Sequence, residues 1–183
     1  EAEAALADSG HRFEFQPANI QALDFADETV DLVVANHMLY HVPDLPRALA
    51  EVRRVLKPNG RFVAATNGNN HMKELPLLVP EEVRQMAASL RVRGDAGQLP
   101  FRLENGRAAL EPYFETVDLH LYDDGLVITE VEPLLAYAFS MINPGVDVPE
   151  TAVALLRESW AAKIAAEGSI QISKESGVFV GHK

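Results

Sequence analysis

Three histidines stand where a side chain could meet a ligand: His37 and His71 in loop-like stretches and His41 just ahead of a helix. Histidine is the residue type best placed to move a proton near neutral pH, and nothing in the sequence selects one of the three as a general base. The 183-residue chain has no cysteine, which removes thiolate nucleophiles, disulfides and zinc–thiolate sites together. Asp123-Asp124 sets two carboxylates side by side, but no histidine lies at ligand spacing, so a solvated turn and no metal are expected. Asn36-His37-Met38 and Asn67-Gly-Asn-Asn-His71 are the remaining polar clusters. Such residues most often bind their own backbone or solvent, and what commends them is their position after strands. Tyr137 and Trp160 read as helix core in preference to an aromatic cage.

The elements that must carry these residues can be read from the hydrophobic pattern. Val30-Asp-Leu-Val-Val-Ala35 is a β-branched, mostly apolar run of the kind buried in a parallel sheet. Asp44 can cap a roughly four-turn helix with Leu45, Leu49, Val52 and Leu56 on one stripe, stopped by Lys57-Pro-Asn-Gly60. Arg61–Thr66 supplies a second buried strand, and strand, helix and strand make a parallel crossover unit. The class is therefore α/β. Further readings are the end of a helix over Glu1–Ser9, a short strand at Phe13–Gln16 and a helix from Pro80 to Leu90. Beyond these come a strand from Phe114 to Leu121, a turn at Asp123-Asp124-Gly125 into Leu126–Thr129, and helices near Glu130–Met141 and Pro149–Glu167. A hairpin of Ile170–Ser173 and Val178–Val180 closes the chain.

Sixteen basic and 27 acidic residues give a net charge of −11, and 48% of the residues are hydrophobic. That composition suits a globular domain and disfavours nucleic acid, whose phosphates need a basic face. No apolar run approaches the roughly 20 residues needed to cross a bilayer, so no membrane partner and a cytoplasmic location are expected.

Asn19-Ile-Gln-Ala-Leu-Asp-Phe-Ala-Asp-Glu-Thr-Val-Asp-Leu-Val-Val-Ala35, then Met38-Leu-Tyr-His41-Val-Pro-Asp44, then Arg53-Arg-Val-Leu-Lys-Pro-Asn-Gly60, resembles the central signature of small-molecule class I S-adenosylmethionine-dependent methyltransferases, the group that includes the quinone-biosynthesis type. Downstream, Phe101–Gly106, Phe114–Val117, Tyr122 and Ile172–Lys183 look like one bacterial branch of that family. The resemblance implies a Rossmann-like sheet with an antiparallel C-terminal strand or hairpin, one domain over 1–183, and lid segments at 70–112 and 130–168. It implies S-adenosyl-L-methionine as cofactor, bound by Asn19 and Ile20 on the adenine side and by Asn36, His37 and Met38 at the carboxyl end of the sheet. Asn19 stands where the family has an aspartate, so its hydrogen bond to the adenine amino group loses charge assistance. Tyr40, His41, Asn67 and His71 are the expected acceptor-side residues.

The family's glycine-rich loop and the acid ending its second strand have no counterpart here, since the 11 glycines form no G-x-G-x-G cluster. The sheet is therefore expected to be incomplete in its N-terminal half, lacking its first two strands as in a truncated chain, with weak cofactor binding. The function implied is methyl transfer to a small-molecule acceptor, with a homodimer left open. The alternative is a degenerate methyltransferase fold serving as a non-catalytic binding or scaffold module.

Overall fold

The computed structural model describes residues 10, 12–86, 99–142 and 147–183. The expected helix over Glu1–Ser9 and the end of the one expected from Pro80 lie outside them. The β-branched run forms β1, Val30–Asn36, and a short 3-10 turn follows at Leu39–His41. Helix α1, Leu45–Val55, starts where Asp44 accepts a hydrogen bond from the Arg47 amide at 3.1 Å, with a proline in its first turn. Its buried residues Leu45, Ala48, Leu49, Val52 and Val55 recur at helical spacing. The helix stops one residue short of Leu56, which opens β2, Leu56–Asn67, and pairs with Val30. The next pair is Leu32 with Arg61, so Lys57–Gly60 bulges out of the ladder, with Asn59 left-handed at φ 63°. Gly60 is required there, because a Cβ would lie 2.8 Å from the Lys57 carbonyl oxygen.

A second 3-10 turn at Leu75–Leu78 leads to α2, Glu81–Met86, and the chain continues through α3, Leu103–Leu110, into β3, Thr116–Ile128. Helices α4, Val131–Ser140, and α5, Glu150–Glu167, precede β4, Ile170–His182. The four strands lie in the order β1-β2-β4-β3, with β1 and β2 parallel and the other two pairings antiparallel.

Three local expectations are corrected. Phe13–Gln16 forms no strand; Phe13 and Phe15 are about half exposed, and no described residue pairs with them. A lone extended segment leaves its backbone groups to water, so alternation alone does not make a strand. The turn expected at Asp123–Gly125 and the hairpin expected around Lys174–Gly177 are both absent: β3 and β4 run straight past each other from Thr116 opposite His182 to Ile128 opposite Ile170. The two turn-like stretches face one another, Asp124 forming an ion pair with Lys174, and the long ladder outweighs the local turn preference.

Each strand alternates its side chains between two faces. On one face, Ala35, Phe62, Ala64 and Phe179 pack beneath α1 and α3 together with Phe101, Leu110 and Phe114. Gly106 of α3 lets that core close, since a Cβ there would lie 2.4 Å from the Phe179 ring. On the other face, Ile170 and Ile172 meet Leu134, Leu135, Leu156 and Trp160 of α4 and α5 in a second core. Trp160 is fixed by its indole N–H, which donates to the Leu78 carbonyl at 2.8 Å. Among the described residues no helix is long and apolar enough to cross a membrane.

Candidate functional site

At the carboxyl end of β1 the chain turns sharply. His37 adopts a left-handed backbone, φ 50°, and its amide donates to the Ala65 carbonyl of β2 at 3.2 Å. A left-handed non-glycine residue costs on the order of 1–2 kcal/mol, and such residues concentrate at ligand sites. Met38 then opens the 3-10 turn, whose Leu39 is fully buried and pins it to the core. Tyr40 and His41 are left on opposite sides of that pin.

Two clefts flank the turn. The larger, about 530 Å³, is lined by Asn36, His37, Tyr40, Asn67 and His71. The smaller, about 390 Å³, is lined by Asn19, Ile20, Met38 and His41, with Gln21 and Val42. All nine expected site residues thus border one cleft or the other, but the grouping differs from the sequence reading. Asn36 and His37 stand with Tyr40, Asn67 and His71, while Met38 and His41 stand with Asn19 and Ile20.

The Asn19 side of the smaller cleft has no regular structure and is held from outside. Asn19 Oδ1 accepts from the Gln21 amide at 3.0 Å, the local turn bond expected of an asparagine. Gln21 Oε1 accepts from the Asp44 amide at 2.9 Å, and Arg47 Nε donates to the Gln21 carbonyl at 2.9 Å. One turn further along α1, Glu51 accepts from the Leu23 amide at 3.0 Å. Arg54 donates to the carbonyls of Leu23 and Phe25 and to Asp27. The guanidinium of Arg54, hydrogen-bonded to Glu51, and the Leu23 amide hold the Glu51 carboxyl down at about 2. Arg47, Glu51 and Arg54 were not singled out from the sequence, although their spacing on one helix face was visible.

The larger cleft is floored by a single face of the sheet. Ala65 and Asn67 of β2, Ser176 and Val178 of β4, and Tyr122 and Asp124 of β3 all line it, as does Lys174. Of these only Asn67 was expected, because the others sit on strands whose cross-strand register the sequence does not reveal. Ser176 Oγ donates to Asn67 Oδ1 at 2.9 Å. Glu175 binds the loop before His71, its backbone carbonyl accepting from the Gly68 amide at 2.9 Å and its carboxylate from the Asn70 amide at 2.7 Å. The Glu175 amide donates to His71 Nδ1 at 3.3 Å, which leaves the proton of the neutral ring on Nε2.

Burial lowers the pKa of His71, and the nearby Lys174 and His37 push the same way against an opposing Glu175. Burial also raises the Tyr40 phenol. Both groups are therefore neutral at physiological pH and can donate hydrogen bonds into the cleft. Lys174 lowers the pKa of Asp124, which it engages as an ion pair, and no group of three or more metal-binding side chains exists among the described residues. Trp160 is buried as expected, but Tyr137 is 41% exposed, its hydroxyl 3.1 Å from Met72 Sδ, and so is not helix core.

Residues 1–64 match the methyltransferase domain family. Over 58 residues, 32% of this chain and 17% of the relative, the sequence is 47% identical to the mitochondrial arginine-hydroxylase NDUFAF5 of Mus musculus. Over 65 residues, 36% of this chain and 24% of the relative, it is 38% identical to the ubiquinone/menaquinone biosynthesis C-methyltransferase UbiE of Bartonella bacilliformis. The chain thus spans under a quarter of the length of these curated relatives. The fold matches the solved YcgJ protein of Bacillus subtilis with a TM-score of 0.59 at 15% identity, covering 100% of this chain and 76% of that one. The matched segment contains β1, the turn at Leu39–His41 and α1, the elements that separate the two clefts, and over that stretch the chain is similar to methyltransferase domains, with a fold like that of the solved YcgJ protein.

Proposed function

We propose that this chain carries the acceptor side and the adenine side of a site for S-adenosylmethionine-dependent methyl transfer to a small organic acceptor. The observation that carries the reading is the division at Leu39: one short turn sends Met38 and His41 to one cleft and Tyr40 to another. A transfer enzyme must hold a donor and an acceptor on two sides of one point and keep them aligned.

The residues of the smaller cleft fit an adenine ring. Ile20, Met38 and Val42 offer apolar flanks, and Asn19 keeps its amide nitrogen and a second oxygen lone pair after binding Gln21. The cofactor, when bound, supplies a methyl group on a positively charged sulfur. The chain's own groups then have positioning work: the Tyr40 hydroxyl and the His71 Nε2–H orient an acceptor oxygen or nitrogen, and Asn67 is held ready by Ser176. Helices α4 and α5 cover the adjoining part of the same sheet face.

The likeness to a protein named as an arginine hydroxylase gives a second reading, a different reaction on the same fold. Amide chemical shifts followed by NMR during titration with S-adenosylhomocysteine test the cofactor reading even if binding is weak. Shifts centred on Asn19–Gln21, Met38 and His41 are expected. No shift there, or shifts confined to the larger cleft, would overturn the assignment. Incubation with methyl-labelled cofactor and a panel of acceptors then separates transfer from other chemistry.

A further inference from the structure

A third cavity, about 440 Å³, lies between the 3-10 turn at Leu75–Leu78 and helices α2, α4 and α5. Its walls include Leu75, Val83, Phe139, Met141, Leu156 and Trp160. Among the described residues Arg84 is the one charged residue that lines it, and that guanidinium is engaged, donating to the Val79 carbonyl at 2.8 Å. No further charged side chain lines it among the described residues, and its apolar walls suit a hydrocarbon.

Its position relative to the larger cleft gives it meaning. On β4 the residues that share one face are Ile170, Ile172, Lys174, Ser176 and Val178. The first two floor the second core, from which the apolar cavity opens, and the last three line the polar cleft. Opposite them on β3, Leu126 and Ile128 pack against the core while Tyr122 and Asp124 face the cleft. The two spaces are therefore neighbours along a single sheet face whose polarity switches between Ile172 and Lys174. The covering segment switches over the same interval. His71 lines the cleft, Met72 packs on the second core with its amide bonded to the Ser173 carbonyl at 2.9 Å, and Leu75 lines the cavity. Leu75 lies four positions after His71, so their Cα atoms are at most about 14 Å apart.

We infer that the apolar cavity holds a single hydrocarbon chain, and that the methyl acceptor is an amphipathic molecule with its polar head in the cleft at Tyr40 and His71 and its tail among Leu75, Met141 and Trp160. The identity of the head rests on the methyl-transfer reading; the tail site does not. Burial of the tail supplies affinity, and the polar groups of the cleft fix the end that reacts.

Trp160 is the only tryptophan of the chain and lines the cavity, so its emission reports occupancy without any cofactor. The probes are ω-bromo-n-alkanols of increasing length, whose bromine quenches a neighbouring indole. Saturable quenching is expected, tightening by roughly fourfold per added methylene until the chain outgrows the cavity and then levelling off. Ala138→Phe, which fills the space, and Met141→Glu, which places a charge in it, are each expected to weaken binding at least about tenfold, with circular dichroism showing an unchanged fold. Should one variant misfold, the other and the wild-type chain-length profile decide. Quenching that never saturates, or that keeps strengthening with length without a break, would overturn the inference, as would equal quenching in a folded variant. Saturable binding without transfer to any alkyl-bearing acceptor would remove the methyl-transfer reading and leave the hydrocarbon site standing.

Discussion

Tyr40 and His41 are consecutive in the chain and their rings meet edge to face with centroids 4.6 Å apart, yet Tyr40 lines the larger cleft and His41 the smaller. The ring contact spans the divide that the buried Leu39 sets up. A ligand in either cleft therefore touches one member of the pair, and the two residues can be separated by substitution.

His41→Ala is expected to weaken S-adenosylhomocysteine binding by about two- to tenfold, the loss of one neutral hydrogen bond or ring contact. Tyr40→Phe should leave that affinity within about twofold, because it removes only a hydroxyl directed to the other cleft. Calorimetric or NMR titration of both variants checks the division. Equal losses would show that the clefts act as one.

Glu51 ties the segment before β1 to α1 through Arg54 and the Leu23 amide. Glu51→Gln is expected to lower stability at neutral pH by about 1–2 kcal/mol, since a charge-assisted pair becomes neutral. The Glu51 carboxyl is held at about 2 against the ordinary 4.5, so its contribution is present above the ordinary value and is lost as the pH falls towards 2. The gap between wild type and variant in urea unfolding should therefore narrow over that interval. A gap independent of pH would remove the electrostatic explanation.

Gly106→Ala drives a methyl group into the fully buried Phe179 ring and is expected to destabilise the fold by about 1–3 kcal/mol. Phe179→Leu costs stability alone by opening a void, but the double variant should be more stable than the sum of the two losses, because the shortened side chain makes room. Denaturant unfolding of the three variants measures the coupling.

The lowered pKa of His71 has two readouts. In a ring-proton NMR titration its midpoint should fall below the usual histidine range, mainly because burial disfavours the charged ring. A depressed folded-state value means that the contribution of the neutral ring is present above the unfolded pKa and is lost as the pH drops through the folded one. His71→Gln should therefore flatten the stability profile on the acid side of neutrality.

The strand of Val30–Asn36, the helix capped by Asp44 and the α/β class were legible in the sequence because each rests on local physics: β-branched burial, helical periodicity, a cap and a stop. The family resemblance over Asn19–Gly60 likewise lies in one stretch of chain, and the seven expected site residues within it border a cleft, as do Asn67 and His71, which were expected from their place after the next strand. Which cleft each residue joins was not legible, since that depends on Leu39 being driven into a core whose other members lie far away in sequence. The same holds for Lys174, Ser176 and Tyr122, which reach the site only through the cross-strand register of β2, β4 and β3. The turn preference of Asp123-Asp124-Gly125 is a local free energy of limited size, and the ladder from Thr116 to Ile128 overrides it. Local pattern set the kinds of element and their order in the chain; long-range pairing and burial, which no short window of residues contains, decided which side chains share a space.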